Sequence, residues 1–193
     1  MSDALQDAQD LSDMARLAAG HDAALNDLME RHAARLFHYL CRYLDSDSEA
    51  DDLAQETFVR VFQNRARFNP NHRFSTWLYT IATNLLRDRL RWRARHPSVS
   101  LDTETEQGCS LMDAVASQAA SPSESAVLNE RAQTVRRAIG QLPEELRVAL
   151  ILFEYEDKSH AEIGAILDCS AKAVEMRLYR ARQQLKSKLP GLQ

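Results

Sequence analysis

Polar and apolar positions alternate along this chain with the spacing of helices. In "DAALNDLMERHAARLFHYLCRYL" apolar side chains fall at Leu25, Leu28, Met29, Leu36, Leu40 and Leu44, which is one buried helical stripe. "SDSEADDLAQETFVRVFQNRARF" predicts a second helix, with Ser48 as N-cap and Asp51 three residues on. Ala54, Phe58, Val61 and Phe62 share its inward face, and Asp52, Gln55, Glu56 and Val59 the outward one. Residues 68–73 read as a loop around Asn69-Pro70-Asn71. A third helix, capped by Ser75, follows in "FSTWLYTIATNLLRDRLRWRAR". Its predicted core stripe is Leu78, Ile81, Leu85 and Trp92, and a second stripe carries Thr80, Asn84, Arg87, Arg91 and Arg95.

The periodicity then stops. Residues 97–121 are acidic and rich in small polar residues, and predict a flexible linker with room for one short helix around residues 111–115. Four more helices are expected in residues 122–193. The first ends at "AIGQLPEELR", and Pro143 with Glu144 and Glu145 starts the second. Ser159 and Glu162 predict a capping box for a short third helix. "DCS" is a turn, and Ser170 caps the last helix, "AKAVEMRLYRARQQLKSKL". A capped short helix, a tight turn and a basic helix spell a helix-turn-helix. Few glycines and prolines and no alternating β-branched runs complete an all-α reading: two small helical domains, 23–96 and 122–193, joined by a flexible acidic linker, 97–121. Residues 1–22 are expected to form a flexible tail.

Composition changes this picture little, but the order of the charges changes it more. The net charge is −4, so bulk electrostatics do not announce a nucleic-acid binder. The signs are segregated, however. Residues 1–30 hold seven acids and one arginine, residues 45–56 six acids and no Lys or Arg, and residues 97–127 five acids and no base. The bases gather at residues 87–95 and 172–188. No apolar run approaches the roughly 18–20 residues of a membrane span, and the acidic N-terminus is unlike a signal peptide, so a cytoplasmic location is expected. Cys41, Cys109 and Cys169 are scattered and fit reduced thiols.

Three surfaces carry candidate chemistry. Around the start of the third helix, Phe68, Phe74, Trp77 and Tyr79 could stack on exposed bases, Thr80 and Asn84 could read base edges, and Arg87 and Arg91 could hold phosphates. The bland alternative is a solvated basic helix beside an aromatic core. Asp52, Gln55, Glu56 and Val59 form an acidic face with one exposed apolar residue, suited to a basic partner helix or simply to solvent. On the last helix, Val174, Leu178, Ala181 and Leu185 are core, while Lys172, Glu175, Met176 and Tyr179, flanked by Arg177 and Arg180, form a major-groove reading surface. No phosphate-binding glycine loop, nucleophile elbow or zinc-protease motif is present. His38 and Cys41 stand one turn apart with no further ligands grouped near them. No catalytic residue, metal, cofactor or small-molecule substrate is expected.

Three segments in this order, "DDLAQETFVRVFQN", "FSTWLYTIATNLLRDRLRWRAR" and "LPEELRVALILFEYEDKSHAEIGAILDCSAKAVEMRLYRARQQL", resemble the sigma factors of bacterial RNA polymerase, in their extracytoplasmic-function (ECF) subclass. The resemblance implies that Asp52, Gln55, Glu56 and Val59 dock on the clamp helices of the polymerase β′ subunit. It implies that the following loop and helix bind and melt the −10 promoter element, and that the helix-turn-helix binds the −35 element and sits on the β flap. It implies a tether threading the polymerase, and a cognate anti-sigma factor, often membrane-anchored. Glu175 and Met176 depart from the small or basic residues many relatives carry there, which leaves the −35 preference open. The competing reading is a stand-alone helix-turn-helix regulator whose N-terminal half dimerises or senses a signal.

Overall fold

The computed structural model describes residues 3–44, 46–96 and 122–189. All regular structure among them is helical. The chain divides into two compact units, one holding the described residues 3–96 and the other residues 122–164 and 168–189. The expected linker, with its short helix at residues 111–115, lies outside the described residues.

The first unit begins with a helix where a tail was expected. Helix α1 (Asp3–Ala18) packs on α2 (Ala24–Cys41), on α4 (Phe74–Arg95) and on a 3-10 turn (Arg65–Arg67). Met14 and Leu17 are fully buried, each stabilising the docked state by about 1.5–3 kcal/mol. Asp10 and Asp13 are buried too, and are partnered. Asp10 accepts from Arg31 Nε at 2.9 Å and lies 2.8 Å from His32 Nε2, while Asp13 pairs with Arg16 and Arg31. A buried carboxylate without such partners would cost several kcal/mol, so the network is what permits acids on the inner face. Burial works against the Arg31 charge, but hydrogen bonds to Asp13 and Asp10 outweigh it and hold its pKa above the usual arginine value. The tail expectation failed because these acids read as solvent-facing when their partners, 18 to 22 residues on, are not considered.

Helix α2 buries Ala24, Leu28, His32, Leu36, Tyr39 and Leu40. Helix α3 (Asp47–Gln63) is capped by Ser46, whose hydroxyl accepts from the Glu49 amide, and not by Ser48. Ser46 is extended and stands outside the first turn, as a cap must, whereas Ser48 is already inside it. Likewise α4 starts at Phe74, with Arg73 at the N-cap and no side-chain cap, so Ser75 falls within the helix. Its buried face is Phe74, Leu78, Tyr79, Ala82, Thr83 and Leu86. Of the predicted core stripe Leu78 is buried, Ile81 and Leu85 are half-buried, and Trp92 is 52% exposed. A buried hydrogen bond between Tyr39 and Thr83 hydroxyls, 2.9 Å, ties α2 to α4.

The second unit holds α5 (Pro122–Gly140), α6 (Glu144–Glu154), the start of α7 (His160–Leu167) and α8 (Ala171–Lys188). The core takes Leu146, Ala149, Leu150 and Ile151 from α6, Ile163 from α7, and Val174, Leu178 and Ala181 from α8. The expected capping box is formed: Ser159 Oγ accepts from the Glu162 amide, and the Glu162 carboxylate accepts from the Ser159 amide. Asp168 ends α7 in the left-handed conformation (φ 52°), and Ser170 caps α8 by accepting from the Ala173 amide. A Cβ at Gly164 would sit 2.6 Å from the Cys169 carbonyl oxygen, so glycine is what lets the turn close this tightly on α7.

Candidate nucleic-acid interface

The arginine run of α4 separates by helical phase. Arg89 and Arg93 turn toward α3 and both pair with Glu49, whose position at the start of α3 fixes the far end of α4 against it. Arg91 and Arg95 face solvent, with Arg87 half-buried beside them. Arg91 pairs only locally, with Asp88 at 2.7 Å, and an exposed pair of this kind is worth at most about 1 kcal/mol, so a phosphate can replace it. Asn84, one turn before Arg87, is exposed, and Thr80 is half-buried with its hydroxyl donating to the Thr76 carbonyl.

The aromatic residues at the other end of α4 form one cluster, and only part of it reaches the surface. Phe68 and Trp77 are half-buried with ring centroids 5.2 Å apart. Phe74 lies 6.3 Å from each. It is 1% exposed, and Tyr79, packed on Tyr39, is 3% exposed. These two belong to the core and not to a stacking surface, which corrects the expectation that all four rings present themselves to bases. Phe74 backs Phe68 and Trp77, while Tyr79 packs on Tyr39. Above them runs the exposed loop of residues 69–73, folded on itself by Asn69: its side chain accepts from the Asn71 amide and its carbonyl from the His72 amide. The sequence marks this loop as a turn, and the structure adds the Asn69 contacts that fold it.

On α3, Asp52, Gln55 and Val59 are exposed and Glu56 is half-buried, on the side opposite Leu53, Thr57 and Phe58. Val59 is 45% exposed, an apolar side chain without cover. Gln55 donates to Asp51 and Glu56 accepts from Arg60, both contacts within the helix surface. An open groove between α3 and α4 adjoins this face, lined by Leu53, Glu56, Leu85, Arg89, Trp92 and Arg95 among others. The sequence reading missed the exposure of Trp92 because an indole on a regular apolar spacing looks like core.

In the second unit α8 presents Lys172, Glu175, Met176, Tyr179 and Arg180 to solvent. Lys172 Nζ bonds Glu175 Oε2 at 2.8 Å, and this hydrogen bond with the lysine charge holds the Glu175 carboxyl below its usual pKa. Arg177 differs from its neighbours: it is half-buried, 3.2 Å from Glu145 and 3.3 Å from the free thiol of Cys169, so it braces α8 against α6 and the turn. Among the described residues no group of three or more His, Cys, Asp or Glu is placed to hold a metal ion.

Comparison with known proteins bears on these surfaces. Residues 28–96 match the family Sigma-70 region 2, and residues 132–185 match Sigma-70, region 4. The chain is 33% identical over 175 residues to the ECF RNA polymerase sigma factor SigW of Bacillus subtilis, covering 90% of this chain and 92% of that one. It is 33% identical over 178 residues to the ECF RNA polymerase sigma-E factor of Escherichia coli, covering 92% of each. Among solved structures it is similar to CnrH, determined in complex with the cytosolic domain of CnrY, with a TM-score of 0.70 and 26% identity over 96% of this chain and 99% of that one.

Proposed function

The chain belongs to the sigma-70 family of RNA polymerase sigma factors, in the ECF subclass, and we propose that its two units divide the work of promoter recognition between them. It is a transcription initiation factor: it joins core polymerase, directs it to promoters and assists strand opening. In the first unit, Asp52, Gln55, Glu56 and Val59 dock on the β′ clamp helices. Phe68 and Trp77 take unstacked bases of the −10 element, Asn84 and Thr80 read their edges, and Arg87 and Arg91 hold the adjoining phosphates. In the second unit, Lys172, Glu175, Met176, Tyr179 and Arg180 read the −35 element, with Arg177 positioning the helix. The factor itself supplies no chemistry to the reaction and acts in the cytoplasm, a reading that fits the lack of any described helix able to cross a membrane.

The observation that carries this reading is the pairing, on one small unit, of an uncovered acidic face on α3 with a ring-and-arginine face on α4. A stand-alone DNA binder needs the second face and has no use for the first. Physically, unstacking costs a few kcal/mol per base step, and stacking on a ring returns about 1–3 kcal/mol per base. Two half-exposed rings therefore come close to offsetting the opening of one or two steps, and polymerase contacts supply the remainder. The net charge of −4 keeps the lone factor from binding DNA at large, and affinity rises when core polymerase adds its own contacts. By its similarity to CnrH, which is bound by the cytosolic domain of CnrY, this factor is held inactive by an anti-sigma factor. Titrating the purified chain on promoter DNA with and without core polymerase tests the reading. Opening and tight binding only with core are expected. Equally tight, sequence-specific binding by the chain alone would instead establish a stand-alone regulator.

A further inference from the structure

Helix α1 precedes the matched family region, which starts at residue 28. Two separate lines of contact run from it to the loop and rings assigned above to base capture. In the first, Asp7 Oδ2 pairs with Arg73 Nε at 3.0 Å, and Arg73 is both the last loop residue and the N-cap of α4. In the second, buried Asp10 meets His32 at 2.8 Å, the His32 ring lies edge-on to Phe74 at 5.1 Å, and Phe74 backs Phe68 and Trp77. The helix also packs on the 3-10 turn that leads into Phe68.

We infer that α1 is a positioning element for base capture: through Asp7 on Arg73, and through Asp10 and His32 on Phe74, it fixes the loop of residues 69–73 and the rings beside it before any base arrives. The physical need is clear. Helix α4 starts with no side-chain cap, so the usual local device for setting the angle at which the loop enters is missing. A loop free to wander loses ordering entropy when each base docks, and a loop already held does not. Asp7 reaches Arg73 from outside and takes over that task. Asp7 touches no base; it acts through Arg73.

This inference rests on the assignment of Phe68 and its loop to base capture, and the test separates the two. Full-length chain with core polymerase is assayed for promoter opening by permanganate reactivity of thymines, and for binding to duplex and to a pre-melted template, using Asp7→Ala, Asp7→Glu and Phe68→Ala. Asp7→Ala is expected to slow opening about two- to fivefold, the range of a partly exposed ion pair. Duplex affinity and thermal melting should stay at wild-type values, the pre-melted template should remove the defect, and Asp7→Glu should retain most of the opening rate. Wild-type opening by Asp7→Ala beside slow opening by Phe68→Ala overturns the inference and leaves base capture standing. Normal opening by both removes base capture and the inference together. Duplex affinity falling by the same factor as opening also overturns it, because a helix that merely stabilised the unit would produce that pattern.

Discussion

Helices α4 and α8 each turn arginines outward, yet they hold the side chains proposed to meet DNA in different ways. On α8 the proposed readers stand in solvent, Tyr179 being 58% exposed, and the helix is set by its own Ser170 cap and by Arg177 reaching Glu145 and Cys169. On α4 the start is uncapped, two of the four expected rings are core, and the other two are half-buried beside Phe74. The difference suits the two proposed targets. Duplex edges are already in solvent, so a rigid exposed helix can read them. A base that must first leave its stack needs a surface that is held in place by packing and still open on one side.

Charge reversal on α3 should have the largest effect, because it should remove the proposed polymerase docking of the first unit and leave the second unit whole. Asp52→Lys with Glu56→Lys is expected to weaken assembly with core polymerase by about a hundredfold or more, as expected when like charges meet across an interface. Stability should move by no more than about 0.5 kcal/mol, since both side chains lie on the outward face. Pull-down with core and thermal melting of the free chain check both halves.

Gly164→Ala should act on the other unit alone. The added methyl meets the Cys169 carbonyl, so the turn must open, at a cost of about 1–3 kcal/mol. Calorimetry should show the transition of the second unit moving down while that of the first stays, and binding to a −35 duplex should weaken in step.

The smallest effect is expected at Glu175. Glu175→Gln releases Lys172 from its carboxylate, and the freed ammonium can then reach phosphate. The log–log salt dependence of −35 binding should steepen by less than about 1, one phosphate at most. The pH dependence has a definite sign. A carboxyl whose folded pKa is depressed stays ionised as pH falls through the ordinary range, so its bond to Lys172 persists there and breaks only at lower pH. Wild-type −35 binding should therefore show no step at ordinary carboxylate pKa values that Glu175→Gln abolishes.

Much of the second unit was legible in the sequence because its signals are local. Ser159 with Glu162, Pro143 ahead of Glu144 and Glu145, and Ser170 after "DC" each specify their element within a few residues. The outward face of α3 was legible for the same reason, since helical phase alone puts Asp52, Gln55 and Val59 together. The failures are long-range. Helix α1 depends on Arg31 and His32 to accommodate its buried acids. Whether a ring on α4 is core or surface is decided by Tyr39, His32 and Phe68 on other elements. Ser48 and Ser75 each looked like a cap, but both helices begin two residues earlier than their spacing suggested.

On the proposed reading α4 works in two steps along its length, arginines first and rings afterwards. This reading is tested most directly by permanganate footprinting of promoter thymines beside filter binding, with core polymerase, on duplex and on pre-melted templates. Arg87→Ala with Arg91→Ala should weaken closed binding and flatten its salt slope by about 0.9 for each phosphate no longer held, and a pre-melted bubble should not restore it. Phe68→Ala and Asn84→Ala should bind duplex normally, open it slowly, and recover on the bubble. Equal recovery of both sets, or of neither, would contradict the division of labour along this helix.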